Sequence, residues 1–360
     1  MSIVKSSWCI AAVSLAALAQ QKPVSPPVPG DPLELVTGHV RAADSRASRA
    51  SAMQLLSRAR LTYDLRSAGQ PYDLKVSFTV NSGGQTAYDG TWQMEDIFDP
   101  NLGLRWTAET GHFDIIRIAS DGMLYGQQTG NYVPLRLQEA RAALFDPMPS
   151  LRNLTHASLR TTTAVFNGAQ LTCVLLSARE APANSAPGRH WGETEECIDP
   201  ATGLLQVHSQ LPGRYYAYDY TNAPTLGGHP FPRKVTVTEG GKTITEISVD
   251  GLMVIPAPDP SLFAPTVDMK AAGRAIALTG AQKISRVVSG GSGGAATICV
   301  FGVLTPSGQL LEAHSLQPSD PNSEAAVEDA RHIDFSGAAP SGPEPQQHFV
   351  FIIEKFTGSQ

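Results

Sequence analysis

The chain is short of the features that announce a chemistry. Its 360 residues hold no His-Glu-x-x-His pair, no phosphate loop and no dinucleotide fingerprint, and the glycines and serines from Ser289 to Gly294, which spell Gly-x-Ser-x-Gly once, open no helix and read as linker rather than nucleophile elbow. None of the local motifs that seat a nucleophile, a metal or a nucleotide is therefore present. Positive charge is in deficit, with 27 Lys and Arg against 33 Asp and Glu and a net charge of -6. That balance offers no basic stripe to neutralise phosphates and argues against a nucleic-acid partner. Long apolar runs are missing too: the stretch from Trp8 to Ala19 falls well short of the roughly 20 residues a spanning helix needs, and no later segment approaches it. Histidines are scattered singly, His112, His208, His229 and His314 among them, without metal-ligand spacing. Neither a cofactor nor a metal is expected.

What is present is enough apolar residue, 42%, for real cores in a chain longer than one ordinary domain, so two domains are expected. The N-terminus "MSIVKSSWCIAAVSLAALAQQKP" combines Lys5, an apolar run and Ala17-Leu18-Ala19, the anatomy of a cleaved secretory signal over residues 1–19. An uncleaved inner-membrane anchor is the rival reading. Cys9 lies inside the apolar run with no lipobox ending at it. A proline-rich spacer, "QKPVSPPVPGDP", occupies the following stretch, 20–41. The chain is thus expected to be periplasmic or secreted.

Residues 42–268 read as one β-rich domain. "SRASAMQLLSRARLTYDL" places Met53, Leu55, Leu56, Ala59 and Leu61 on a helical stripe. The period then becomes two through "YDLKVSFTV", "YDGTWQMEDIF", "GLRWTAET" and "FDIIRIASDGMLYG", an antiparallel meander. A second helical patch, "LRLQEARAALFDPM", carries Leu135, Leu137, Ala140 and Leu144 on one side and stops at Pro147. Strands resume from "ASLRTTTAVF" to "KTITEISVDGLMVI", and a sheet of this kind needs the two helices to cover one face.

Residues 269–296, ending in "VVSGGSGGAA", have the composition of a Gly/Ser linker. After it, over 297–360, come a hairpin about Thr305-Pro306-Ser307-Gly308, a helix entered at Asp320-Pro321 with Ala326, Val327, Ala330 and Ile333 on its apolar side, and the closing strand "QQHFVFIIEKF". The fold class is α+β: a curved antiparallel half-barrel sheet with inserted helices, plus a small ββαβ unit.

The order helix, long meander, inserted helix, with the ending "VIPAPDPSLFAPTVDM" and its "DPSLF", resembles the LolA-like half-barrel of periplasmic lipoprotein and lipid carriers. The hairpin with its "PSGQ" turn, the alanine-rich helix running to "RHIDF" and the strand "VFIIEKF" resemble the TonB C-terminal domain. The first resemblance implies an apolar concavity for a lipid or lipoprotein acyl chain. The second implies docking on an outer-membrane or other envelope protein.

Candidate residues follow. Alternation in "RYYAYDY" sets Tyr216, Tyr218 and Tyr220 on one face and Tyr215, Ala217 and Asp219 on the other. With Trp92 and Trp106 the first set can line a groove for an acyl chain or pack as cross-strand aromatics. Cys173 and Cys197 flank a turn-rich segment centred on Ser185 and are expected to form a disulfide, while Cys299 reads as core packing. The densest His/carboxylate cluster, His190, Glu193, Glu195 and Glu196 in "HWGETEE", is expected to be a solvated hairpin rim. In a strand Glu193 and Glu195 share a face and Glu196 points away. The expectation is an exported binding or carrier protein, not an enzyme. The rival readings are a periplasmic hydrolase or metal enzyme using that rim, and a purely structural envelope protein.

Overall fold

Period-two alternation in the sequence is realised as one open, antiparallel sheet of fourteen strands. The computed structural model describes residues 35, 39–43, 45–83, 88–148, 154, 156–177, 188–271, 282–289, 295–338 and 346–357. The segment expected to be a signal peptide, nearly all of the expected spacer and the turn about Ser185 lie outside the described residues. In chain order the first-half elements are β1 (Arg41–Ala42), α1 (Arg46–Tyr63), β2 (Tyr72–Val80), β3 (Gly90–Asp99), β4 (Gly103–Thr110), β5 (Phe113–Ser120), β6 (Met123–Gln128) and α2 (Leu135–Phe145). Then come β7 (Ser158–Phe166), β8 (Ala169–Ser177), β9 (Thr194–Ile198), β10 (Leu205–Leu211), β11 (Arg214–Asp219), β12 (Thr225–Leu226), β13 (His229–Pro230), β14 (Lys234–Glu239) and β15 (Lys242–Val254). The C-terminal part has β16 (Lys270–Ala271), β17 (Gln282–Ser289), β18 (Ala296–Leu304), β19 (Leu310–Ser315), α3 (Ser323–Arg331) and β20 (His348–Thr357).

The large sheet runs β1-β7-β8-β9-β10-β11-β14-β15-β2-β3-β4-β5-β6-β16, so β15, the longest strand, returns to join the two halves of the meander. One face carries a continuous apolar layer, from Phe78, Trp92 and Trp106 through Val237 and Ile247 to Tyr216 and Tyr218, on which both helices lie. α1 starts at Ser45, whose hydroxyl accepts from the Ser48 amide at 3.0 Å. Its buried side is Ala52, Leu56, Ala59 and Tyr63. The stripe is therefore rotated from the expected one: Leu61 is more than half exposed, and Tyr63 closes the face instead. α2 buries Leu135, Leu137, Ala140 and Leu144 as expected, together with Arg136 and Glu139, and ends at Asp146 before Pro147.

The segment read as a linker contains a strand. β17 pairs in parallel with β20, Arg286 opposite Glu354, and makes the C-terminal sheet four-stranded in the order β17-β20-β18-β19. The expected ββαβ unit is thus βββαβ among the described residues, because Ile284 and Val288 do find an apolar face, the one α3 also covers. α3 begins one residue after Asn322, and Asp320 serves the preceding turn, its carboxylate accepting from the Asn322 amide at 2.8 Å.

The C-terminal unit is packed on the large sheet rather than strung from it. Its other face, Phe301, Val303, Phe349 and Phe351, meets Leu135, Leu211 and Trp191. The hairpin turns after β10 and β14 touch its backbone so closely that a Cβ on Gly213 would lie 2.6 Å from the Leu316 carbonyl oxygen, and one on Gly240 2.8 Å from that of Ser315. Both glycines also have positive φ, 87° and 55°. Between the layers lies a buried ion network. Arg136 reaches Glu239 at 2.8 Å, Glu312 at 2.9 Å and Glu139 at 3.0 Å, while Arg214 bonds Glu239 at 2.8 Å and also Glu139. The Phe301 ring lies under both guanidiniums, at 5.2 and 4.5 Å. Gln347, just before β20, accepts from the Leu135 amide at 2.8 Å and so satisfies the N-terminus of α2 from outside.

Candidate functional site

The aromatic residues expected to line a groove all enter the layer between sheet and helices. Trp92 and Trp106 come from neighbouring strands β3 and β4, and Tyr216 and Tyr218 from β11, all buried in one cluster, with Tyr220 half-buried against it. Tyr215 faces the opposite side beside the disulfide, as the alternation required. The tyrosine hydroxyls are mostly engaged: Tyr218 donates to the Ala143 carbonyl of α2 at 3.1 Å, Tyr220 to that of Leu205 at 3.0 Å, and Tyr216 accepts from Arg214 at 2.7 Å. Burial pushes the Tyr218 hydroxyl well above the usual phenol range. These side chains form packed surface beneath the helices, and a ligand must displace a helix to reach them.

The "HWGETEE" cluster does not form a solvated rim. Glu193, Glu195 and Glu196 are all buried. Glu193 takes Arg160 of β7 through both oxygens, at 2.7 and 2.6 Å, plus the His190 amide at 2.7 Å. Glu195 takes Arg189 at 3.0 Å. Each acid is buried because an arginine distant from it or outside any strand meets it there, which local spacing does not reveal. Glu196 points to the other face, as expected, and meets His208 of β10, whose Nδ1 lies 3.0 Å from both carboxylate oxygens.

Cys173 and Cys197 stand directly opposite each other on β8 and β9 and are bonded. Among the described residues the one group whose ligand atoms converge as a metal site would require is Cys173, Glu195 and Cys197, and its two sulfurs are spent on each other. Cys299 is buried, and burial raises its thiol above the ordinary range.

Sequence reasoning missed the Glu196–His208 pair, which the β9–β10 hairpin places on the apolar side with Tyr216 against the imidazole, ring centroids 5.2 Å apart. Over it lies the end of α1, where Tyr63 is buried with its hydroxyl unpartnered among the described residues. Tyr63 feels the charge of Glu196, and burial lifts its pKa far above the usual value. Burial likewise raises the Glu196 carboxyl, against the pull of His208.

The rim of α1 is held by arginines to main-chain carbonyls. Arg49 reaches Leu154 at 2.7 Å and Ala157 at 2.9 Å, Arg58 reaches Ala201 at 2.8 Å and Pro200 at 3.1 Å, and Arg60 reaches Met148 at 3.2 Å. Among the described residues no helix is long and apolar enough to cross a membrane.

No family model and no curated protein matches the chain. Solved structures with a similar arrangement include the LolA superfamily protein NE2245 from Nitrosomonas europaea, 10% identical, with a TM-score of 0.37 over 59% of this chain and 97% of that one. MucB is similar at 13% identity and a TM-score of 0.28, covering 62% of this chain and 65% of MucB. LprF from Mycobacterium bovis is similar at 11% identity and 0.24, over 59% and 97%.

Proposed function

We propose that this chain is an exported, non-catalytic binding protein of the cell envelope that takes up an acyl chain between the large sheet and α1. The observation that carries this reading is the way α1 is mounted. It meets the aromatic layer through a narrow strip, Ala52, Leu56, Ala59 and Tyr63, and its arginines hold loop carbonyls at the rim. Two of its four buried side chains are alanines, which bury little area at roughly 25 cal/mol per Å² of apolar surface, and no charged side chain of α1 enters the buried layer, so this helix is lifted without separating a buried ion pair. Trp92, Tyr216, Tyr218 and Tyr220 are the surface such a movement offers to an apolar ligand. The C-terminal unit is assigned a docking role through the outer edges of β17 and β19, the two strand edges that its sheet leaves unpaired among the described residues.

The test is mass spectrometry of lipids co-purifying with the full chain, with titration of the apolar fluorophore N-phenyl-naphthylamine. Recovered acyl lipid and saturable fluorescence enhancement are expected. A chain that carries no lipid and leaves the fluorophore dark overturns the reading.

A further inference from the structure

Buried carboxylates in and beside the layer between sheet and α1 are treated differently. Asp96 accepts from the Tyr72 hydroxyl at 2.9 Å and from Arg141 at 3.2 Å, with Arg66 at 3.9 Å. Away from this layer Glu193, Glu195 and Glu239 also have arginines. Glu196, fully buried, has none within ion-pair distance among the described residues: one group there, His208 Nδ1, is shared between its two oxygens. An ionised carboxylate can accept about four hydrogen bonds, so most of its capacity is unused. The Tyr63 hydroxyl above, buried and unpartnered, completes the set. Buried polar atoms are normally satisfied, so two incompletely used groups, the Glu196 carboxylate and the Tyr63 hydroxyl, sharing one apolar compartment point to a visitor that satisfies them.

We propose that Glu196, His208 and Tyr63 form a head-group subsite that selects an amphiphile with an uncharged, hydroxyl-bearing or amide-bearing polar end over one ending in a free carboxylate or phosphate. The inference rests on the acyl-binding reading above and adds the identity of the ligand's polar end. A ligand hydroxyl donates to the Glu196 carboxylate, which has capacity beyond its one shared partner, and accepts from Tyr63. A carboxylate brought to the same place meets a like charge in a dry setting, and either must take up a proton or be excluded. Displacing α1 to admit the chain leaves the hairpin bearing Glu196 and His208 in place, so the subsite discriminates from the sheet side.

The test uses the full chain loaded with N-phenyl-naphthylamine at neutral pH and displaced by two amphiphiles of the same chain, monoolein and oleate. Monoolein should displace the fluorophore at least about tenfold more tightly, the ratio that a single differential charge contact readily supplies. Tyr63→Phe removes only an unpartnered hydroxyl and should fold normally, weakening monoolein several-fold while oleate and fluorophore are unchanged. Glu196→Gln should bring the two amphiphiles close together. Equal or reversed preference in the parent chain, or a preference that both variants leave intact, overturns the subsite while the acyl-binding reading stands. Failure of the fluorophore and both amphiphiles to bind overturns both.

Discussion

Two helices cover the same sheet face and are fastened in opposite ways. α1 lies on it with Ala52, Leu56, Ala59 and Tyr63 and grips the surroundings from the rim, through exposed or half-buried arginines on carbonyl oxygens. α2 is pinned from beneath and behind: Arg136 and Glu139 enter the buried ion network, Tyr218 bonds the Ala143 carbonyl, and Gln347 of the C-terminal unit caps its first amide. Rim contacts compete with water and are each worth little, whereas buried charged groups are costly to separate. The comparison teaches that α2, the large sheet and the C-terminal unit are fastened together through buried groups, and that α1 is the helix held without them.

The largest effect should come from cutting the centre of that fastening. Glu239 sits between Arg136, Arg214 and His314, the last at 2.7 Å, and the two guanidiniums, with the His314 hydrogen bond, hold its carboxyl well below the usual range. Glu239→Ala removes the carboxylate that two buried guanidiniums share, leaving Arg136 with Glu139 and Glu312 and Arg214 with Glu139 alone, and should cost about 3–5 kcal/mol, read as a shift in the urea midpoint, with α2 and β19 losing hydrogen-exchange protection together. Loss of α1 protection alone would reverse the assignment of which helix is fixed. Second comes the disulfide, which ties β8 to β9 on the sheet's far side from the helices. Cys173→Ala with Cys197→Ala should cost on the order of 2–4 kcal/mol for this loop, measured by thermal unfolding, and should loosen the β9–β10 hairpin under α1 before it touches α2.

How much of this could be read beforehand follows the same division between local and distant partners. The alternating strands, α2 with its stop before Pro147, and the opposition of Cys173 and Cys197 are local or symmetric signals, and the chain carries them openly. β17 was hidden because its apolar residues, Ile284 and Val288, are few and its partner β20 follows more than fifty residues later. The buried acids of "HWGETEE" were read as solvated because Arg160 lies on β7 and Arg189 outside any strand. The Glu196–His208 pair did have a signal: the turn "DPATG" contains Thr202, midway between them, and the symmetry argument that paired the cysteines applies equally here. The packing of the C-terminal unit onto α2 has no sequence signature, since Arg136, Arg214, Glu239 and Glu312 are far apart in the chain and look like surface charge.

Acidity should separate the two helices in opposite directions. Glu239 has a depressed folded pKa, so its contribution is present above the ordinary carboxylate value and is lost as pH falls below it. Glu196 has a raised one, so its site is most stable below the ordinary value and is weakened as pH rises through the folded value. Hydrogen exchange corrected for intrinsic rate, compared between mildly acidic and neutral solution, should show α1 better protected in acid and α2 no better or worse. Parallel changes in both helices would mean that neither carboxyl governs its own helix.

The smallest effect gives the sharpest comparison, because it uses the same chemical change twice. Tyr63→Phe under α1 deletes a buried hydroxyl that has no partner among the described residues, while Tyr218→Phe deletes one that donates to Ala143 of α2 at 3.1 Å. Removing an unsatisfied polar atom relieves a desolvation cost, and removing a made bond leaves a buried carbonyl without that donor. Tyr63→Phe should therefore be neutral or stabilising by a few tenths of a kcal/mol, and Tyr218→Phe should cost about 1 kcal/mol, both measured by chemical denaturation in the absence of lipid. The double variant should be additive, since the two hydroxyls serve different helices and share no bond. A marked loss from Tyr63→Phe would mean that this hydroxyl is already bonded in solution, and α1 would then be fastened from beneath as α2 is.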